Sequence, residues 1–186
     1  SCIILYMRAK YLSSALSIYI EPYSLFILDI TCLTRNKYSL EHYIVKHYDD
    51  LLLDSKGQPY DLLYIAGIIK QYLVARKRAA PVIVASVADK FIVRNQQTFD
   101  PRANLIDIEN MLQSEIEQYV PYQANNTIFD FCPALAPALP QKAKQQSAIF
   151  ACERSYLTNY QQLAAYLDTE LAFLGVQLQG VYLAQQ

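Results

Sequence analysis

Residues 13–48 read SSALSIYIEPYSLFILDITCLTRNKYSLEHYIVKHY. Apolar residues alternate through Ser13–Ile20, and Pro22 ends this run because proline has no N–H to donate to a strand ladder. Leu25–Leu33 is apolar nearly throughout, and Tyr38–Tyr48 alternates again. Three strand patterns with such short connections predict an antiparallel meander.

A helix is predicted soon after the meander. Residues 49–60 are polar and include Gly57 and Pro59, so they predict a loop. After Asp61, apolar residues recur at helical spacing, namely Leu62, Ile65, Ile69, Tyr72 and Leu73. Asp61 is a good N-cap for the helix that they predict. The cations at 76–78 favour the negative end of this helix dipole, with ligand binding as the alternative interpretation.

Strands and helices interleave through the rest of the chain, which predicts a layered α/β or α+β domain. The predicted strands are Pro81–Ser86, Lys90–Thr98, Thr127–Cys132, Ser147–Cys152 and Val176–Tyr182. One helix is predicted to start at Asp107 and to stop before Pro121, and another to run from Tyr156 to Leu174 with Gly175 as its end. The Pro- and Ala-rich residues Pro133–Gln146 predict a linker or a long loop.

Composition excludes several functional classes. The 186 residues carry a net charge of -1, without the basic excess of a nucleic-acid-binding protein. The four cysteines, Cys2, Cys32, Cys132 and Cys152, form no CxxC pair and predict reduced thiols in a cytoplasmic protein. No apolar run approaches the ~20 residues that span a bilayer, so no membrane insertion is expected. Residues 1–12 lack a basic start and make a poor signal peptide, and they are left unassigned.

The sequence offers no recognisable catalytic or metal centre. His42 and His47 are the only histidines, and their spacing on one strand places them on opposite faces. Only four glycines are present, so neither a GxGxxG nor a Walker-type phosphate loop can be formed. The acidic pairs Asp49–Asp50 and Glu115/Glu117 are better explained as solvated carboxylates. We therefore expect a protein that holds a partner and not an enzyme.

A family resemblance is carried by Glu115–Phe131, which reads EIEQYVPYQANNTIFDF. This stretch resembles the type IV pilus assembly protein PilM family, and the order of elements matches from about Ala15 to Gln186. The resemblance is to a divergent, competence-type (HofM-like) member or to a first-half fragment. It implies an α/β fold, namely the actin-like (ribonuclease H-like) first domain with a small inserted α+β subdomain. Residues 13–86 and 153–186 would form the major subdomain, and residues 87–152 the inserted one.

The resemblance also implies a partner and a place in the cell. PilM-family proteins lie on the cytoplasmic face of the inner membrane and bind the cytoplasmic N-terminal tail of PilN, a bitopic membrane protein. We expect a PilN-like tail, further inner-membrane pilus components and homo-oligomerisation as the interactions of this chain. The residues implied to lie near the tail-binding groove are Tyr119, Val120, Pro121, Tyr122, Phe129 and Phe131. The alternative is that the two tyrosines only pack the helix end against its own sheet.

The chain departs from the family at the first hairpin. Typical members carry an Asp-x-Gly turn there that faces nucleotide phosphates, whereas the aligned positions here are Tyr19 and Glu21, followed by Pro22. Such a turn cannot bring backbone N–H groups close to a phosphate, which argues against ATP or another cofactor. Three alternatives stay open: an actin-like ATPase whose second half is absent, the GspL-like cytoplasmic domain of a type II secretion system, and an unrelated α/β interaction module.

Overall fold

The structure, a computed structural model, describes residues 4–7, 13–34, 37–100, 102–133 and 145–176. Six strands make the larger of its two sheets in the order β1-β9-β5-β2-β3-β4. Their bounds are β1 Ile4–Met7, β2 Ser14–Glu21, β3 Ser24–Thr34, β4 Lys37–His47, β5 Val82–Val87 and β9 Leu171–Val176. β2, β3 and β4 pair in antiparallel succession, so the predicted meander is confirmed.

Parallel pairing joins the meander to the rest of this sheet. β2 lies parallel to β5, and β5 parallel to β9, whereas β1 closes the far edge antiparallel to β9. Parallel neighbours need a crossover, and α1 (Leu62–Ala75) provides the one between the meander and β5. The strand β1 falls in the segment that the sequence left unassigned.

One face of the larger sheet is buried by α1 and by α3 (Arg154–Tyr166). The side chains of Leu16, Ile18 and Ile27 are fully buried there, as their alternation in the sequence requires. Asp61 caps α1 as predicted, since its Oδ1 accepts the N–H of Tyr64 at 2.9 Å.

The smaller sheet has the order β6-β8-β7, all antiparallel, with β6 Val93–Phe99, β7 Thr127–Pro133 and β8 Gln145–Glu153. The chain leaves the larger sheet after Val87, and α3 follows directly when the smaller sheet ends at Glu153. One face of the smaller sheet buries the apolar side of α2 (Leu105–Glu115), and this second core contains Ile108, Leu112 and Ile116. Residues 134–144, most of the predicted linker, lie outside the described residues.

A helix and a strand in this region begin at residues other than those that the sequence predicted. The helix predicted from Asp107 begins at Leu105, because Asn104 is its N-cap and Asp107 is the reciprocal partner in a capping box. The α-helical part ends at Glu115, and a short 3-10 turn, Ile116–Gln118, completes the approach to Pro121. The strand predicted from Lys90 starts at Val93, since residues 89–91 form a 3-10 turn.

The prediction of one helix from Tyr156 to Leu174 was wrong. α3 ends at Tyr166, and Asp168 adopts a left-handed conformation, with φ of 56°. The N–H groups of Asp168 and Thr169 return to the carbonyls of Ala165 and Ala164, at 3.0 and 3.1 Å, which is a Schellman motif. Asp tolerates this backbone better than most residues, so the helix stops without a glycine.

The last predicted turn of that helix is instead a strand. Leu171–Val176 pairs in parallel with β5, and Gly175 lies within the strand instead of ending a helix. Leu171 and Leu174 fit helical spacing, but pairing with β5 satisfies their backbone groups and buries both side chains. The strand predicted at Val176–Tyr182 lies outside the described residues beyond Val176.

Candidate groove between the two sheets

The turn between β2 and β3 holds the positions that the resemblance aligns with a phosphate-binding turn. Glu21 pairs with Ser24 across the turn, and Pro22 and Tyr23 form its tip. The carbonyls of Pro22 and Tyr23 accept the N–H groups of Leu52 and Tyr48, at 2.7 and 2.9 Å. The tip is therefore fastened to residues 48–52, and Pro22 has no N–H to offer an anion.

A cleft of about 460 Å³ separates this turn from the connection between the two sheets. Tyr19, Ile20, Glu21 and Pro22 line one side, and Leu53 and residues 88–91 line the rest. Its charged groups are Glu21, Asp89 and Lys90, and Asp89 is paired with Arg94. Thus Tyr19 and Glu21, the two positions that the resemblance aligns with a phosphate-binding turn, lie in one cleft.

Gly57 allows the loop after β4 to close against the connection. Asp54 Oδ1 accepts the N–H groups of Lys56 and Gln58, which folds the loop into a tight turn. Gly57 has a φ of 74°, and a Cβ placed there would lie 2.0 Å from Cε2 of Phe91. Only a residue without a side chain permits both that backbone and that contact.

A second cleft, of about 350 Å³, lies on the other side of Phe91. Its lining residues come from the loop after β4, the connection between the sheets, the smaller sheet, the turn after α2 and the start of α3, namely Ser55, Lys56, Lys90, Phe91, Ile92, Val93, Tyr122, Glu153 and Tyr156. The two clefts share Lys90 and Phe91, and we call them together the inter-sheet groove.

Phe91 lines both clefts, and it packs against Tyr156, which lines the second one. Their ring centroids are 6.0 Å apart, and the Tyr156 hydroxyl donates to the carbonyl of Lys56. The Lys90 ammonium lies 4.8 Å from the centroid of the Phe91 ring, a favourable cation–π distance. Gln58 fastens the loop further, because its side chain bonds Ser155 and Asn159 of α3 at 2.8 Å each.

Burial raises the pKa of three groups in or beside the groove. Burial first, and then Glu153, raises the pKa of the Cys152 thiol to about 12, which keeps it protonated near neutral pH. Burial also raises the pKa of Tyr156, with further contributions from Cys152 and Tyr122. The pKa of Tyr122 is raised by burial and then by Glu153. These hydroxyls therefore remain neutral hydrogen-bonding groups.

Of the six residues that the resemblance implied, Tyr122 lines the inter-sheet groove. Val120 is buried in the second core, against which Tyr119, Phe129 and Phe131 pack. Tyr119 also donates its hydroxyl to Glu115 at 3.0 Å, and its carbonyl accepts from Asn95 at 2.8 Å. Pro121 is exposed beside them. Partner contact by all six residues stays a prediction.

Sequence reasoning missed most residues of the groove. Lys56, Lys90, Phe91, Glu153 and Tyr156 come from three separated segments, one of which was predicted only as a polar loop. The one local signal was Gly57, whose turn-forming role was recognised but whose contact with Phe91 is long-range.

A second polar cluster lies near the C-terminal end of α1. Arg78 pairs with Asp29, which is fully buried on β3 and whose Oδ2 has no partner among the described residues. Tyr72 lies nearby, and its hydroxyl is 3.1 Å from His42 Nδ1. Burial and then the Asp29 carboxylate raise the pKa of Tyr72. The helix-dipole interpretation of residues 76–78 thus misses the main contact of Arg78.

The histidines and helices give no further site. His42 contacts Tyr72, whereas His47 bonds Ser24 at 2.8 Å, so the two rings lie in separate contacts. Within the described ranges, no group of three metal-ligating side chains was found. No helix in the described part of the chain is both long and apolar enough to cross a membrane.

Comparison with solved structures establishes the class of fold. A chain of the PilM-PilN type IV pilus biogenesis complex matches with a TM-score of 0.73 and 19% identity, over 90% of this chain and 49% of that one. The cytoplasmic domain of EpsL, an inner-membrane component of the type II secretion system of Vibrio cholerae, matches with a TM-score of 0.52 and 13% identity, over 87% of this chain and 56% of that one. A Bacteroides thetaiotaomicron protein with an actin-like ATPase fold and unknown function scores 0.35 at 10% identity, over 84% of this chain and 51% of that one, too low to carry an argument.

The chain therefore has the actin-like α/β fold that its sequence predicted. More particularly, the fold is the PilM-like form of it. No protein-family model matches the sequence, and no curated protein matches it. The chain spans about half the length of the structures that it matches, and at these identities the likeness establishes the fold alone.

Proposed function

We propose that this chain is a scaffold of a type IV pilus or DNA-uptake machine, which binds the cytoplasmic N-terminal tail of a PilN-like inner-membrane protein. The observation that carries the proposal is the match to the PilM-PilN complex across 90% of the chain. A match of that extent requires both sheets and their connection, and the inter-sheet groove is formed there.

The groove has the chemistry of a peptide site. Phe91, Tyr122 and Tyr156 give it aromatic surface, whereas Lys56, Lys90 and Glu153 supply charges of both signs. Aromatic anchors surrounded by polar groups are typical of sites that hold an extended peptide segment. The tail would lie between the two subdomains that we propose, residues 13–86 with 153–186 and residues 87–152.

The proposal assigns neither a reaction nor ATP to this chain. In the cleft beside the first hairpin, Asp89 is paired with Arg94, and the Lys90 ammonium lies over the Phe91 ring. An incoming phosphate would still meet the Glu21 carboxylate, and Pro22 offers no N–H group there. Both features oppose anion binding. The proposed place is the cytoplasmic face of the inner membrane, with further inner-membrane pilus components and self-association as additional proposed contacts.

Calorimetric titration with a synthetic peptide tests the proposal. The peptide copies the cytoplasmic N-terminus of the PilN-like protein, and saturable binding in the micromolar range is expected, about -8 kcal/mol. Tyr122→Ala and Lys90→Ala should each weaken it, while Ile106→Ser, an exposed change on α2, should leave it unaltered. Thermal unfolding of each variant separates loss of binding from loss of fold.

A folded chain that binds no such peptide would overturn the proposed function. The likeness to the EpsL domain supports a second candidate, a cytoplasmic component of a type II secretion system. Failure of the PilN-like tail would direct the search to that system, whereas saturable ATP binding would favour the ATPase alternative.

A further inference from the structure

Five large apolar side chains are exposed in one place around the start of α1. They make up almost half of the eleven large apolar residues that are exposed in the described part of the chain. Their exposed fractions are 51% for Tyr23, 52% for Leu51, 76% for Tyr60, 65% for Leu63 and 46% for Tyr64. We call these five residues the α1 patch. Clustered exposed apolar residues mark interaction sites more often than scattered ones do.

Backbone hydrogen bonds bring together the segments that carry the patch. The N–H of Tyr48 donates to the carbonyl of Tyr23 at 2.9 Å, which ties the hairpin tip to the end of β4. The N–H of Leu52 donates to Pro22, and that of Tyr60 donates to the carbonyl of Leu52 at 2.8 Å. Three segments that are distant in sequence therefore meet at one surface.

An aromatic contact and the N-cap of α1 order the residues of the patch. Tyr48 and Tyr64 meet edge to face, with ring centroids 6.1 Å apart, and the Tyr48 hydroxyl is buried without a hydrogen-bond partner among the described residues. Asp61 fixes the first turn of α1, from which Leu63 and Tyr64 project. A surface that is already ordered loses little conformational entropy when a partner binds.

The rim of the patch is acidic. Asp49, Asp50 and Asp61 are exposed beside it, and none of them forms an ion pair within the described residues. Asp61 uses one carboxylate oxygen for the helix cap. An occupant with cations next to its apolar side chains would match this rim, whereas an anionic membrane surface would be repelled.

We propose that the α1 patch docks a second segment of the partner, one that combines apolar side chains with Lys or Arg. The segment of an inner-membrane protein that meets this description is its cytoplasmic stretch next to the membrane span, because lysine and arginine are enriched there. The choice of this stretch as the occupant of the patch rests on the proposed function. Pro22 lines the inter-sheet groove and Tyr23 belongs to the patch, so the two surfaces meet at one hairpin tip and can hold one partner chain.

Fluorescence provides a direct test, since the chain contains no Trp. The probe is a synthetic peptide of Lys, Leu and Phe with a single Trp, and the reference peptide has Gln in place of every Lys. We expect saturable binding of the Lys-containing peptide and a Kd about tenfold higher for the reference peptide. Binding of the Lys-containing peptide should weaken as the salt concentration rises.

Matched variants locate the binding. Two double variants should each raise the Kd about tenfold: Asp49→Asn with Asp50→Asn, and Tyr60→Ser with Leu63→Ser. All four side chains are exposed, so their replacement leaves the core intact. Leu105→Ser with Ile106→Ser removes two other exposed apolar residues, on α2, and should have no effect.

Several results would overturn the inference. They are absence of binding, equal weakening by the α2 control, binding to vesicles rich in anionic lipid, or a self-association of the chain that the Tyr60/Leu63 variant abolishes. Lys90→Ala separates the two proposals, since it should weaken the tail peptide and leave the Lys-rich peptide unaffected. If the tail peptide fails while the Lys-rich peptide binds at the patch, the proposed function falls and the docking surface stands.

Discussion

Replacement of Gly57 by alanine should destabilise the chain and disturb the inter-sheet groove. The residue has a φ of 74°, and a Cβ at this position would lie 2.0 to 2.6 Å from three atoms of the Phe91 ring. The left-handed backbone costs a non-glycine residue about 1 kcal/mol. Forcing an extra carbon into a packed contact costs a further ~1–3 kcal/mol. The expected loss of unfolding free energy is therefore about 2–4 kcal/mol.

Gly67 is a control for the same substitution. It lies inside α1, and a Cβ there would have no neighbour within 4 Å. Gly67→Ala should stabilise the chain by about 0.5–1 kcal/mol, because alanine favours the helix. Urea denaturation followed by circular dichroism measures both variants.

A lower unfolding free energy for Gly57→Ala together with a higher one for Gly67→Ala would confirm the reasoning. A Gly57→Ala variant as stable as the parent would refute it, because neither the backbone nor the ring contact would then be as described. In a Phe91→Ala background the ring is absent, so Gly57→Ala should there cost only the backbone part, and the overpacking part appears as the coupling energy of the double-mutant cycle. The groove variant should also bind the tail peptide more weakly, since Lys56 and Phe91 both line the site.

Three further predictions concern stability and thiol chemistry. Arg78→Ala leaves the buried Asp29 carboxylate unpaired and should cost about 3 kcal/mol in urea denaturation, the lower end of the range for buried pairs because the Arg78 side chain is 29% exposed. Adding Asp29→Asn should recover part of this loss, and no recovery would contradict the pairing. With its pKa at about 12 instead of 9.0, the Cys152 thiol should react with a thiol reagent at pH 8 about a thousandfold more slowly than an exposed thiol. A fast reaction in a folded variant with serine at Cys2, Cys32 and Cys132 would argue against the burial of Cys152. Since the folded state holds this proton more tightly than the unfolded state, stability should fall as pH rises from 9.0 towards about 12, and Cys152→Ala should reduce that slope. Asn104→Ala removes the capping box of α2 and should cost about 1 kcal/mol, whereas Asn104→Asp should stay close to the parent, and equal losses in the two would exclude the cap as the cause.

The sequence alone determined the elements whose signals are local. Alternation of apolar residues over 13–48 predicted the meander, because successive side chains of a strand face opposite sides of a sheet. Asp61 predicted the start of α1, because an N-cap acts within its own turn. The stretch at Glu115–Phe131 indicated the PilM-like class through resemblance, and comparison of the structure confirmed that fold.

Tertiary structure decided whatever depends on contacts between distant residues. Leu171–Val176 fits a helix and a strand equally well by spacing, and only the neighbouring β5 selects the strand. Arg78 was placed with a helix dipole, yet a carboxylate 49 positions earlier in the chain holds it. Phe91 contacts Gly57 and Tyr156 only when the loop, the connection between the sheets and α3 close on one another. Local propensity cannot encode such a site, since each residue there has its role through partners from other segments of the chain.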